Sequence, residues 1–300
     1  MDGRISNFSQ LAYVRRYTLT DGKESGLKVI EVNTGKIRFL LNESKALDMM
    51  QLWHEGTNVS FVSKNGFTAR EIPFLRRFEG GMLYTCGLDS AGGREGFELH
   101  GNIHNAPARV YECNCDEKEI VVKADIEDTQ LFGKNLLLRR TVRATVGSNE
   151  VSISDEVINR GVQTEEYCLL YHVNLGYPML DEGVKILSDT EEVIPRCPWA
   201  AQRIADRTVF SGAVDGEAER CYYIKHKTPV VRVENEKLGK TFTLSYTDDT
   251  LPCFVQWCSA GSGDYALGIE PCTTFLDDKF TYSKVDGGKS VLLGVTFKVE

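Results

Sequence analysis

Glu270 stands in the run Gly268-Ile269-Glu270-Pro271, a carboxylate at the end of an apolar segment and fixed by the proline after it. Burial there raises a carboxyl pKa toward neutrality, which suits a proton-transfer group. His172 stands in Leu169-Leu170-Tyr171-His172-Val173-Asn174-Leu175-Gly176. In a strand, His172 and Asn174 share one face, and Tyr171 and Val173 the other. Two polar residues on one face of an otherwise apolar strand require partners or a pocket. His100 belongs to Phe97-Glu98-Leu99-His100-Gly101-Asn102-Ile103-His104, after a stretch rich in glycine (Gly80, Gly81, Gly87, Gly92, Gly93, Gly96). A glycine directly after His100 lets backbone or ligand approach that ring closely. An imidazole near neutrality and a buried carboxylate together form an acid–base pair that needs no metal.

Other chemistries find less support. His100 and His104 have the i,i+4 spacing of a helical zinc pair, but Gly101, Pro107 and the lack of an HExxH glutamate argue against that helix, and no metal is expected. No GxSxG and no CxxC occur, and Cys86 has no particular histidine to pair with. Gly92-Gly93-Arg94 lacks the Lys-Ser/Thr that completes a phosphate loop. Arg77, beside Arg76 and just before the glycine-rich stretch, is placed to clamp a ligand; a solvated pair is the alternative. Nothing calls for a cofactor.

The elements that must hold these residues are strands. Val142, Ala144 and Val146 alternate with polar residues, as do Val151, Ile153 and Val157, then Phe242, Leu244 and Tyr246, then Val291 through Val299. Further β-rich runs cover 27–33, 36–41, 119–126, 168–175, 229–233, 253–258 and 266–270, with turn signals such as Asp286-Gly287-Gly288 between them. One short helix is expected over 198–206, opening at Pro198. Strands without intervening helices predict an all-β, large antiparallel sandwich. No linker divides the chain, so residues 1–300 read as a single domain, with 1–24 as an N-terminal extension packed on it.

The net charge of −8 lacks the basic field of a nucleic-acid binder and disfavours an anionic membrane surface. No apolar run is long enough to span a bilayer, and the first twenty residues show no secretory signal. The nine cysteines are odd in number and irregularly spaced, so reduced thiols in a cytoplasmic protein are expected. The pattern admits an oligomer without specifying one.

Four motifs together resemble the galactose mutarotases (aldose 1-epimerases). Leu99-His100-Gly101, Tyr171-His172-Val173-Asn174-Leu175-Gly176, Gln256-Trp257 and Gly268-Ile269-Glu270-Pro271 follow in that family's order. Lys45–Met50 with Gly56–Phe61 resemble its opening strands, and Arg77 with Phe78-Glu79-Gly80-Gly81 its arginine segment. The likeness covers most of residues 26–299 and is nearest to an uncharacterised branch of mutarotase-like proteins. It implies a β-supersandwich whose concave face holds a monosaccharide or sugar derivative. It implies Glu270 as general base, His172 as general acid and His100 as a second imidazole on the ring oxygen. Arg77 would contact sugar hydroxyls, and Asn174, Gln256, Trp257 and His226 would surround the sugar. The family's sugar-holding aspartate stays open among Asp206, Asp215 and Asp248, with His226 as its replacement. Tyr171 and Val173 depart from the residues that often flank the acid.

The chemistry agrees with that likeness. Interconverting anomers takes a proton from the anomeric hydroxyl and gives one to the ring oxygen, which needs one base and one acid. Trp257 or Trp53 could stack on the apolar face of a pyranose. The expected function is therefore an aldose 1-epimerase-like isomerase, with a non-catalytic sugar-binding protein as the alternative. A phosphorylated sugar would need a basic cluster, for which Arg70, Arg76, Arg77 and Arg94 are available.

Overall fold

The computed structural model describes residues 3–300. Strands β1 (Tyr13–Thr18), β2 (Lys28–Asn33), β3 (Ile37–Asn42), β4 (Asp48–His54) and β5 (Thr57–Asn58) form an antiparallel sheet in that order. Residues 13–18 of the expected N-terminal extension are thus an edge strand, paired from Tyr13↔Asn33 to Thr18↔Lys28.

The remaining strands build a second antiparallel sheet. They are β6 (Leu83–Leu88), β7 (Arg109–Cys115), β8 (Glu119–Thr129), β9 (Asn135–Thr145), β10 (Glu150–Asn159), β11 (Glu165–Leu175) and β12 (Lys185–Pro195), followed by β13 (Arg220–Asn235), β14 (Lys240–Tyr246), β15 (Cys253–Ser259), β16 (Ala266–Cys272), β17 (Ser283–Val285) and β18 (Ser290–Val299). Their order is β17-β11-β16-β15-β13-β14-β18-β10-β9-β8-β7, with β12 on β13 and β6 on β11. The first half of β13 pairs with β15 and the second half with β14, so this one strand joins the two sides of the sheet.

Alternation explains the core. Val151, Ile153 and Val157 of β10 and Leu293, Val295 and Phe297 of β18 are buried, and Ile153 pairs with Val295. They share one apolar core with Ile30, Phe39 and Leu52 of the smaller sheet, so the two sheets pack as a sandwich. Helices are few. α1 (Phe74–Arg77) is a single turn, and α2 (Pro198–Gln202) opens on Pro198 and passes into a 3-10 turn at Ile204–Arg207, as the sequence predicts.

A buried ionic chain crosses the sandwich. Lys45 Nζ donates to Glu79 Oε2 (2.9 Å), His104 Nε2 lies 3.4 Å from Glu79 Oε1, and His104 Nδ1 lies 2.6 Å from Asp48 Oδ2. Arg140 continues it, donating to Asp48 Oδ1 at 2.5 Å and to both oxygens of Asp155, which also accepts from Tyr171 Oη. Burial alone would push the His104 pKa down, but Glu79 and Asp48 outweigh it and hold the pKa up. The charges therefore alternate in sign along the chain, the arrangement that buried ions require. His104 is thereby committed to Asp48 and Glu79, apart from His100.

Candidate active site

Strand register sets the floor of the site. Val173 pairs with Ile269 and Leu170 with Cys272, which puts His172 across from Glu270 on adjacent strands. Glu270 in turn pairs with Val255 and Gly268 with Trp257. Alternate residues share a face, and of that face His172, Glu270, Val255 and Trp257 line one cavity of about 340 Å³. Gly268 leaves room for the carboxylate there. A Cβ at that position would lie 2.2 Å from Glu270 Oε1 and 3.1 Å from Trp257 Cβ, so the carboxylate occupies the space a side chain would fill.

The roof comes from connections between strands. Phe74 and Leu75 of α1, Phe78, Leu99, His100 and Leu276 close over the floor. His100 has φ +66°, in the left-handed region that histidine enters more readily than most residues. Its Nδ1 accepts from the Gly92 N–H at 3.3 Å, which leaves Nε2 as the protonated nitrogen. The rings of His100 and His172 are 5.5 Å apart, as are those of His172 and Trp257.

His172 Nε2 lies 3.3 Å from Glu270 Oε1. Burial, and then the nearby Glu219 charge, push the Glu270 carboxyl well above its ordinary pKa. Burial, and then His100, bring His172 down to about 3, and burial brings His100 down to about 4. The raised carboxyl agrees with the sequence expectation. The imidazoles do not stay near neutrality, because the cavity withdraws them from water. Both shifts favour the uncharged forms, and the 3.3 Å approach is not a hydrogen bond, since Glu270 Oε1 has no hydrogen-bond partner.

Three cavity residues had no local signature. Arg196, just beyond β12, donates to Glu219 Oε1 at 2.8 Å, and Trp257 Nε1 donates to Glu219 Oε2 at 2.8 Å. Asp277 accepts from Tyr223 Oη at 2.6 Å. Arg196 and Glu219 meet through the β12–β13 pairing (Ile194↔Tyr223), and Asp277 joins the cavity from the β16–β17 connection.

Of the residues singled out from sequence, Glu270, His172, His100 and Trp257 line the cavity. Four others are placed elsewhere. Arg77 is buried, donating to Ile72 O at 2.6 Å and lying 3.3 Å from Glu98. Asn174 is buried and ties to Gly81 O and His172 O, so it braces the strand that carries His172. Gln256 follows the same alternation as Trp257 and therefore faces the other way, donating to Arg207 O at 2.8 Å. His226 binds the Tyr246 hydroxyl at 3.0 Å and packs on Phe254. Trp53 lies in the smaller sheet under Arg38, and Arg94 is stacked on Phe280. Asp206 pairs with Arg203 and Arg220. Among the described residues that line the cavity, the carboxylates are Glu219, Glu270 and Asp277.

A family model described as Domain of unknown function (DUF4432) matches residues 24–287. The chain belongs to this family. A comparison with curated proteins finds no match. Solved structures share the fold of this DUF4432 member at low identity. A candidate aldose 1-epimerase from Klebsiella pneumoniae superposes with TM-score 0.88 at 20% identity, over 98% of this chain and 86% of that one. A galactose mutarotase-like protein from Clostridium acetobutylicum gives 0.71 at 11% identity, over 97% and 99%. A galactose mutarotase related enzyme from Lactobacillus acidophilus gives 0.63 at 13% identity, over 95% and 97%. The DUF4432 chain thus has the galactose mutarotase-like β-sandwich fold. Among its described residues no helix is long and apolar enough to cross a membrane.

Proposed function

We propose that this protein interconverts the anomers of a free monosaccharide, with Glu270 and His172 as the proton-transfer pair. The observation that carries this reading is their 3.3 Å contact on the floor of a cavity at the small end of the ligand-pocket range. In this cycle a proton passes from the Glu270 carboxyl to His172, which yields a carboxylate and an imidazolium. The carboxylate takes the proton of the anomeric hydroxyl as the imidazolium gives its proton to the ring oxygen. The ring bond breaks, the aldehyde turns, and the steps reverse to close the ring on its other face. Each cycle returns one proton to the pair, so nothing is consumed. His100, with its Nε2–H, supports the negative charge that develops on the ring oxygen. The chain acts as one domain in this reading, and the sugar is its only partner.

Exchange NMR between the anomers of a bound sugar tests this. Wild-type protein should accelerate exchange, and Glu270→Gln should reduce it by at least about 10²-fold with little change in affinity. Equal exchange rates for the two proteins would make this a sugar-binding protein instead.

A further inference from the structure

We propose that the Arg196–Glu219 pair is a substrate subsite that accepts neighbouring hydroxyls of a neutral sugar and turns away phosphorylated or acidic ones. The inference rests on the sugar reading of the same cavity and settles the charge class of its ligand.

Glu219 is held from two directions, by Arg196 on Oε1 and by Trp257 Nε1 on Oε2, both at 2.8 Å. It keeps one acceptor lone pair on each oxygen, and its side chain is 53% exposed, so it stays open to a ligand. Arg196 is 31% exposed and keeps further N–H donors. A fixed acceptor beside a fixed donor matches adjacent hydroxyls, each of which can donate to one and accept from the other. Trp257 ties this edge to the floor, because its ring stands 5.5 Å from that of His172. A sugar held at Glu219 thus reaches across Trp257 toward the proton-transfer pair.

An anionic sugar meets the opposite conditions. Among the described residues lining the cavity, Arg196 is the one cation. Its charge is met by Glu219 in direct contact and by Asp277 nearby. A phosphate would have to displace a carboxylate to reach the guanidinium, and would then leave that carboxylate beside it. Arg70, Arg76, Arg77 and Arg94 do not line the cavity, so no basic cluster compensates.

The test is saturation-transfer NMR at low salt with galactose, glucose and ribose, each beside its terminal phosphate ester. Wild type should bind at least one neutral sugar, and its phosphate ester at least about 10-fold more weakly. Glu219→Gln removes the negative charge but keeps an amide within reach of Arg196 and Trp257. It should weaken the neutral sugar about 10-fold and strengthen the ester by a similar factor. Adding Arg196→Gln should remove that gain. Circular dichroism and a thermal scan of each variant keep a folding defect apart from a binding one, and a misfolded Glu219→Gln is replaced by Glu219→Ser. A wild type that prefers the ester, binds neither form, or keeps its ratio on Glu219→Gln overturns the proposal. Selective binding without anomer exchange would remove the catalytic reading and leave the subsite standing. Exchange on both charge classes alike would do the reverse.

Discussion

Oε1 of Glu270 lies over Gly268, in the volume that a β-carbon on that residue would take, 2.2 Å away. The absent side chain two residues upstream in β16 therefore decides where the carboxylate stands. Gly268→Ala must displace the Glu270 head group or the Trp257 ring. Anomer exchange should fall about 10²-fold, as expected for a misplacement of about 1 Å at the reacting centre. Stability should fall by about 1–3 kcal/mol from overpacking. Steady-state exchange NMR and a urea titration check the two parts. An unchanged exchange rate would mean that this carboxylate does not move the proton.

The pH profile of kcat/KM follows from the directions of the two shifts. The active pair carries one proton. A second is added only when His172 charges, near pH 3 instead of near 6.5, so the acid limb lies far below the ordinary imidazole range. The pair becomes empty when Glu270 loses its proton, which its raised pKa delays to well above the ordinary carboxylate range. Activity should therefore hold from neutrality down to the pH at which the protein unfolds, and decline on the alkaline side. An acid limb centred near 6.5 would contradict this assignment.

Acid should also weaken the fold through the same histidine. Below pH 6.5 the unfolded chain takes a proton on His172 that the folded chain refuses until about pH 3. The unfolded state then binds more protons, so stability falls as pH falls through this window. His172→Asn removes the effect. Between pH 7 and pH 4.5 wild type should lose up to about 3 kcal/mol more than the variant, at about 1.4 kcal/mol per pH unit. Urea midpoints at the two pH values measure it, and equal losses would show that His172 is not withdrawn from water.

Arg140 is fully buried, and its hydrogen bonds reach Asp48, Thr85, Asp155 and the Ala46 carbonyl. Arg140→Met leaves buried Asp155 without its cation and Asp48 with His104 alone. The cost should be about 3–5 kcal/mol, the range for breaking a buried pair by removing one partner. Chemical unfolding checks it. A loss below about 1 kcal/mol would mean that water reaches the chain of charges.

Part of this was legible in the sequence. β10 and β18 alternate because one face is buried, and both read correctly from period two. β6 does not, since all six of its residues are buried, and a strand covered on both faces carries no alternation. The same rule sorted the site imperfectly. His172, Glu270 and Trp257 are on one face of their strands, but Gln256 adjoins Trp257 and so has to point away from it. Asn174 shares the face of His172, yet its amide is used up on the backbone of Gly81 and His172. Arg196 and Glu219 could not be found locally, because only long-range pairing brings them together.

The floor and the roof of the cavity are built on different principles. Each floor residue is pinned by hydrogen-bonded neighbours on adjoining strands. The roof is drawn from three separate connections, around residues 74–78, 92–100 and 276–277. A connection can change length or composition without shifting the register of a sheet. What the cavity admits can therefore be altered one cover at a time, from three independent stretches of chain, while the strand register that brings His172 to Glu270 stays as it is.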